Sequence, residues 1–200
     1  MIYTDFSKIP LFGYNMIMAD PPWEFKLRSD KGEDKSPQAQ YNCMPLDEIC
    51  SMNVADLAAG NCLLWLWVTN PMIDQGLDVL RAWGFQFKTA GTWVKMSKSW
   101  TADGWKDGKE PKLNFGTGYI LRSANEPFLI GTMGDNDTSK SVRSAIRGAV
   151  REHSRKPDEA YREAERLLPS AYRLDMFSRE ERQGWDSFGF EAGKFNEKMQ

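Results

Sequence analysis

Apolar positions along the chain follow two alternating rhythms. Residues 14–19 (YNMIMA) form a short run with no polar face, the mark of a buried strand. Residues 61–68 (NCLLWLWV) give the strongest strand signal, apolar on both faces, as in the central strands of covered sheets. Strand patterns recur at 85–95, at 126–133 (EPFLIGTM), more weakly at 145–150, and in short form at 172–177 and 185–188. Helical spacing fills the gaps. One helical stretch spans 46–59 and ends at Gly60. A second spans 71–83, with Pro71 in its first turn, Ile73, Leu77 and Leu80 along one face and Gly84 past its end. A third spans 157–168 and opens on Pro157, with Asp158 and Glu159 in the first turn, where acids complement the helix dipole. Two stretches carry neither rhythm. Residues 26–40 are charged, include Gly32 and Pro37, and read as a mobile loop. Residues 96–118 carry Lys98, Lys106, Lys109 and Lys112 with Trp100 and Trp105. They read as a second mobile loop, too long to be structureless without a functional reason.

Strand–helix alternation predicts an α/β fold, with a mostly parallel central sheet and helices on both faces. In such sheets ligands bind beyond the carboxyl ends of strands. Two hundred residues fit a single domain, 1–200, large enough to bury a core without staples. Eight Trp exceed what the core of such a chain needs, so stacking on a ligand or base enters the picture. A net charge of −2 removes any global attraction for nucleic acid, so such contact must come from local patches. The lysines of 95–112 form one candidate. Arg143, Arg147, Arg151 and Arg155, spaced by four, form another, on one face of a helix or strand. Cys43, Cys50 and Cys62 with the single His153 make no zinc set, and no metal is expected. No targeting segment and no membrane span is read, so the expected location is cytoplasmic.

Chemistry concentrates at Asp20-Pro21-Pro22-Trp23, directly after the first strand. Two prolines stop the strand and hold the chain extended, and Asp20 is restricted by the proline after it. The carbonyls of Asp20 and Pro21 are expected to stand clear of the ladder. A carboxylate, a carbonyl and an indole plane side by side form a receptor for the amino group of a flat ring.

These residues are the signature of amino-group methyltransferases acting on adenine N6, and the chain resembles their MT-A group, named after the messenger-RNA adenosine methyltransferase. The resemblance runs through "CLLWLWVTN" (62–70), "GTWVK" (91–95), "GTGYILRSANEPFLIG" (116–131), "HSRKPDEAYREAERLLP" (153–169) and "YRLDMFSR" (172–179), in order, over about 14–190. It implies a Rossmann-like fold and S-adenosylmethionine as cofactor, with Asp20, Pro21, Pro22 and Trp23 as the catalytic block. It implies cofactor contacts at Asp20, Ser154, Lys156, Asp175, Phe177 and Arg179, with Lys156 as clamp for the cofactor carboxylate. Substrate contacts are implied at Trp23, Tyr41, Asn70, Lys95, Asn125 and Glu126. The run "SREERQGW" after Phe177 departs from the family pattern, and no G-x-G-x-x-G appears, in keeping with a cofactor that has no phosphate. The partner implied is nucleic acid, DNA ahead of RNA, with a homo- or heterodimer left open. An RNA adenine methyltransferase, a non-catalytic nucleic-acid-binding subunit and a cytosine-N4 methyltransferase are the alternatives. An intact Asp20–Trp23 motif argues against the second, and Asp rather than Ser or Asn at position 20 against the third.

Overall fold

A computed structural model describes residues 1–24, 43–116, 118, 120–152, 155–189, 193, 194 and 196. The first expected loop, 26–40, and the candidates Tyr41 and Ser154 lie outside them.

Among the described residues ten strands and three α-helices follow in chain order: β1 (Ile2–Tyr3), β2 (Tyr14–Ala19), α1 (Leu46–Ser51), β3 (Ala58–Trp67), α2 (Ile73–Ala82), β4 (Gln86–Met96), β5 (Trp100–Thr101), β6 (Gly104–Trp105), β7 (Asn125–Met133), β8 (Ala145–Ala149), α3 (Asp158–Leu167), β9 (Arg173–Met176) and β10 (Asp186–Phe188). Eight strands form one sheet in the order β1-β10-β9-β2-β3-β7-β4-β8. Every neighbouring pair is parallel except the two made by β7. Its reversal brings the first residues of β7 to the rim where β2, β3, β4 and β9 end.

Side-chain alternation splits the core into two layers. Ile17, Ala19, Leu64, Leu66, Leu174 and Met176 pack against Val79, Leu80 and Trp83 of the α2 region. Met16, Met18, Leu63, Trp65, Trp67, Trp93 and Ile130 face the other way, onto Ala160 and Ala164 of α3 and onto Trp185. Trp65 stacks on Phe128 at 4.0 Å between ring centroids. Six of the eight tryptophans are buried: Trp23, Trp65, Trp67, Trp83, Trp93 and Trp185. The apparent surplus is therefore mostly core, and Trp100 and Trp105 remain.

Several expectations are corrected. The stretch 46–59 is not one helix: α1 stops at Ser51, a short 3-10 turn covers Val54–Leu57, and β3 already begins at Ala58. Gly60 sits inside β3 because Ala58 is drawn into register with Tyr14 of β2. On α2, Ile73 is exposed and the buried face is Gly76, Val79 and Leu80. Gly76 is needed there, since a Cβ would collide with a Val68 methyl. Gly84, at φ +79°, ends this helix as expected. The stretch 96–118 is not structureless. Its base is closed by Ser97 N–H donating to the Lys112 carbonyl (2.8 Å) and Asn114 N–H to the Lys95 carbonyl (2.8 Å), and β5 and β6 form a hairpin within it. The four arginines do not share a face. Arg147 is exposed on β8, while Arg151 and Arg155 are tied to Asp158 and Glu180. No helix among the described residues is long and apolar enough to cross a membrane.

Candidate active site

β2 is the strand on which the rim is organised, because its neighbours β9 and β3 lead away in opposite directions. That makes its carboxyl end the switch point of the sheet. Asp20 follows Ala19 there, and its N–H donates to the Met176 carbonyl (3.3 Å), the last ladder bond before the prolines. Trp23 N–H donates back to the Pro21 carbonyl (2.8 Å), closing a three-residue turn about Pro22, and Met44 N–H donates to the Pro22 carbonyl (2.8 Å). The Pro21 carbonyl is thus partly engaged, not clear as expected, and offers one remaining lone pair.

Trp23 also departs from expectation. Its ring is 5 % exposed, packs in the α2-side core, and donates Nε1–H to the Trp67 carbonyl (3.2 Å). The plane read from sequence as a stacking surface locks the Pro21–Trp23 turn to the end of β3. Trp23→Ala is therefore expected to cost about 3–5 kcal/mol of stability, measured by urea denaturation. A loss below about 1 kcal/mol by the same measure, on the order of a surface substitution, would contradict this role.

Four charges form a ladder along the rim. Lys156 Nζ donates to Asp20 Oδ2 (2.6 Å) and contacts Glu126 Oε1 (2.8 Å), while Lys95 Nζ meets Glu126 Oε2 (2.8 Å). Asp20, Glu126 and Lys156 come from the end of β2, the start of β7 and the residue before Pro157 at the head of α3. Lys156 is buried, with Nζ 5.5 Å from the Trp67 ring centroid. Burial opposes ionisation of Glu126, but the flanking lysines overcome it and hold its carboxyl down to about 2. For Asp20 burial outweighs the Lys156 charge, and Glu126 adds repulsion, so its carboxyl rises above the ordinary aspartate value. Lys156 is held protonated by the two carboxylates against the cost of its burial.

Two further expected residues meet beside the ladder. Asn70, just past β3, donates to Asn125 Oδ1 (3.1 Å), and Asn125 donates to Thr92 Oγ1 (2.8 Å).

On the β9 side a small cleft is lined by Asp20, Lys156, Asp175, Phe177 and Arg179, five of the residues expected to touch cofactor. Phe177 adopts φ +63°, a left-handed conformation for a bulky residue that turns the chain across the cleft. Asp175 is 4 % exposed and accepts from the Tyr161 hydroxyl (3.0 Å). Burial raises its carboxyl to about 7, against hydrogen bonds from Ser178 and Tyr161. A carboxyl raised from 3.8 adds stability that is complete below about pH 4 and is lost as pH climbs through 7. Asp175→Asn keeps the acceptor and escapes that loss. Its stability gain over the parent is expected to widen by about 1.4 kcal/mol per pH unit between these values, and urea titrations that give a constant difference would contradict it.

Sequence reasoning missed Arg155, Tyr161, Ser178 and Glu180 in the cleft lining. Tyr161 carried a signal, as the only hydroxyl on the apolar face of α3, while Glu180 was hidden in a charged run. Arg155 grips Glu180 through two bonds (2.6 and 3.1 Å), and Arg182 lies 3.8 Å over the Tyr161 ring. These contacts pin the segment after β9 to the head of α3. Among the described residues no group of three or more His, Cys, Asp and Glu side chains is placed to hold a metal ion.

A mostly parallel sheet with one reversed strand, helices on both faces and an acid at the switch point defines a Rossmann-like methyltransferase fold. The chain belongs to the MT-A70 family, whose sequence model matches residues 14–191. It is similar to the Arabidopsis thaliana "N(6)-adenosine-methyltransferase MT-A70-like" protein, at 31 % identity over 88 % of this chain and 23 % of that protein. It is similar to the human "N(6)-adenosine-methyltransferase catalytic subunit METTL3", at 28 % over 88 % of this chain and 27 % of METTL3. The "Type II methyltransferase M.MunI" of Mycoplasma sp shares 26 % identity over 93 % of this chain and 81 % of its own length. The chain thus spans about a quarter of the plant and human relatives and most of M.MunI.

Proposed function

We propose that this protein transfers a methyl group from S-adenosylmethionine to the N6 amino group of adenine in DNA. The observation that carries the reading is the Asp20 carboxylate at the end of β2, fixed by Lys156 at 2.6 Å beside a cleft of mixed charge. That cleft suits the cofactor chemically. Lys156 and Arg179 complement a carboxylate, while Asp20 and the buried Asp175 accept from an ammonium or from ribose hydroxyls. When bound, S-adenosylmethionine supplies an electrophilic methyl group on a sulfonium centre.

The residues of the chain do the rest. Asp20 and the remaining lone pair of the Pro21 carbonyl accept the two amino hydrogens. This favours a pyramidal nitrogen with its lone pair directed away from the ring. The Asp20 charge stabilises the positive charge that grows on nitrogen. Its raised proton affinity suits it to take up the proton the nitrogen sheds. Lys156 fixes which Asp20 oxygen faces the amine, because it holds Oδ2. The base must leave any duplex to reach this point.

DNA is favoured over RNA because M.MunI, of which this chain covers 81 %, carries the name type II methyltransferase. The RNA reading has its own support, since the adenosine methyltransferase of Arabidopsis is the more identical relative. The deciding experiment incubates the protein with methyl-labelled S-adenosylmethionine and single-stranded DNA, duplex DNA or RNA, then identifies the labelled nucleoside. N6-methyldeoxyadenosine is expected. Label in RNA alone overturns the carrier, N4-methylcytosine overturns the target base, and no label on any substrate overturns the transferase reading.

A further inference from the structure

The projection between β4 and β7 is a built element without a role in the site chemistry. It rises from the end of β4, one residue beyond Lys95, the outermost charge of the rim ladder. β5 and β6 pair Trp100 with Trp105 across the hairpin. Trp105 is 58 % exposed, and a two-residue strand supplies no core for it to serve. Exposing an indole to this degree forgoes the burial that the other tryptophans obtain.

The next turn is what gives the indole company. Lys106 N–H continues the hairpin by donating to the Ser99 carbonyl (2.8 Å), and Lys109 N–H donates to the Lys106 carbonyl (3.3 Å). Asp107 and Gly108 between them have φ of 59° and 61°, the two consecutive left-handed residues of a type I′ turn. Residues at the two ends of such a turn lie side by side, so Lys106 and Lys109 stand together immediately after Trp105. Neither lysine is ion-paired with any described carboxylate, in contrast to Lys95. Asp103, Asp107 and Glu110 also lie on the projection: Asp107 inside the turn, Glu110 directly after Lys109, and Asp103 in the opposite turn of the hairpin, between β5 and β6. On β8, the strand beside the hairpin, Arg147 is exposed. Leu113 and Phe115 are exposed on the return path from this turn to the rim.

We propose that Trp105 with Lys106 and Lys109 forms a platform that stacks a base and grips the phosphates of single-stranded DNA flanking the adenine held at Asp20. The fit is chemical. An open aromatic face suits any unstacked base, and two adjacent ammonium groups that pair with no described carboxylate repel each other until an anion joins them. The overall charge of −2 makes this local arrangement, and not a general basic field, the source of the attraction. The proposal rests on the nucleic-acid methyltransferase reading, and gives it a grip outside the reaction centre.

The test uses the full chain and a short fluorescein-labelled oligothymidylate, which has no adenine, followed by fluorescence anisotropy. Trp105→Ala is expected to raise Kd roughly five- to hundred-fold, and Trp105→Phe to recover part of the loss. The pair Lys106→Gln and Lys109→Gln is expected to flatten the log Kd against log salt slope by about 1.4. With an adenine-containing strand, KM is expected to rise in Trp105→Ala while kcat stays within about twofold, since Trp105 lies outside the rim ladder. Unaltered thermal melting establishes that Trp105→Ala folds. Three results overturn the platform: a parent protein that does not bind oligothymidylate, a Trp105→Ala Kd within about twofold of the parent, or binding to oligouridylate alone. A parent that methylates adenine while Trp105→Ala binds normally removes the platform and keeps the transferase reading. A parent that methylates nothing while Trp105→Ala loses binding removes the transferase reading and keeps the platform.

Discussion

Asp20→Ala is expected to lower the single-turnover rate of methyl transfer by roughly 10²–10³-fold, the cost of deleting one preorganised group aimed at developing charge. In the proposed reaction the carboxylate does two things that alanine cannot. It accepts a hydrogen from the amino group, and it places a negative charge where the nitrogen becomes positive. Asp20→Asn keeps an acceptor and loses the charge, so its rate is expected between parent and alanine variant, and the spacing of the three rates apportions the two effects. Asp20 is only half-buried, and Glu126 still pairs with Lys156 in its absence, so melting temperatures are expected to change little. An alanine variant within about tenfold of the parent would remove Asp20 from the reaction.

Lys156→Met is expected to destabilise the protein as strongly as Trp23→Ala. Lys156 bridges Asp20 and Glu126 from a buried position, and without it two carboxylates face each other, with Lys95 beside Glu126 and the Arg179 charge acting on Asp20. Removing one partner of a buried ion pair costs about 3–5 kcal/mol, read from urea denaturation near neutral pH. The pH dependence identifies the cause. In the parent, Glu126 titrates at about 2, below its ordinary 4.5, so its contribution is present above 4.5 and is lost as pH falls through about 2. Loss of Lys156 moves that titration upward, and protonation then relieves the repulsion. The gap between parent and variant is expected to narrow on acidification from neutral pH, and Asp20→Asn in the Lys156→Met background is expected to recover part of it. A gap independent of pH would mean that lost packing, not charge, is responsible.

Much of this architecture is legible in the chain. The bounds of β2 can be read because YNMIMA is apolar on both faces and ends at an acid followed by two prolines. Those of β7 can be read to within a residue, because its apolar run starts after the polar pair Asn125 and Glu126 and stops at Gly134, which turns the chain at φ +65°. Gly84 marks the end of α2, while Pro71 sits in a 3-10 turn, Asn70–Met72, that leads into its start at Ile73. Errors arise where a tertiary partner overrides a local pattern. Ala58 and Gly60 look like a helix end until β2 pairs with Ala58 and draws the segment into β3, and Ile73 looks like a core residue until Gly76 shows which face approaches Val68. At the site, residue types are readable and orientations are not. Asp20, Lys156 and Glu126 each stand out separately, but nothing in one dimension shows that a single ammonium joins both acids. Trp23 misleads because an indole beside a reactive acid reads the same whether it faces a ligand or the core.

The position of β2 in the sheet also sets the order in which the protein can be completed. β2 lies between β3 and β9, and Ile17 pairs with Leu174 in register, so β2 waits for a partner strand made much later in synthesis. Until β9 arrives, β2 has a bare parallel edge and Asp20 has no Met176 carbonyl to anchor its N–H. Long-range parallel pairing of this kind folds slowly and leaves strand edges open to wrong partners. Chains interrupted before β9 are therefore expected to aggregate instead of persisting as half-active fragments, and the Asp20 turn is anchored only once β9 joins the sheet.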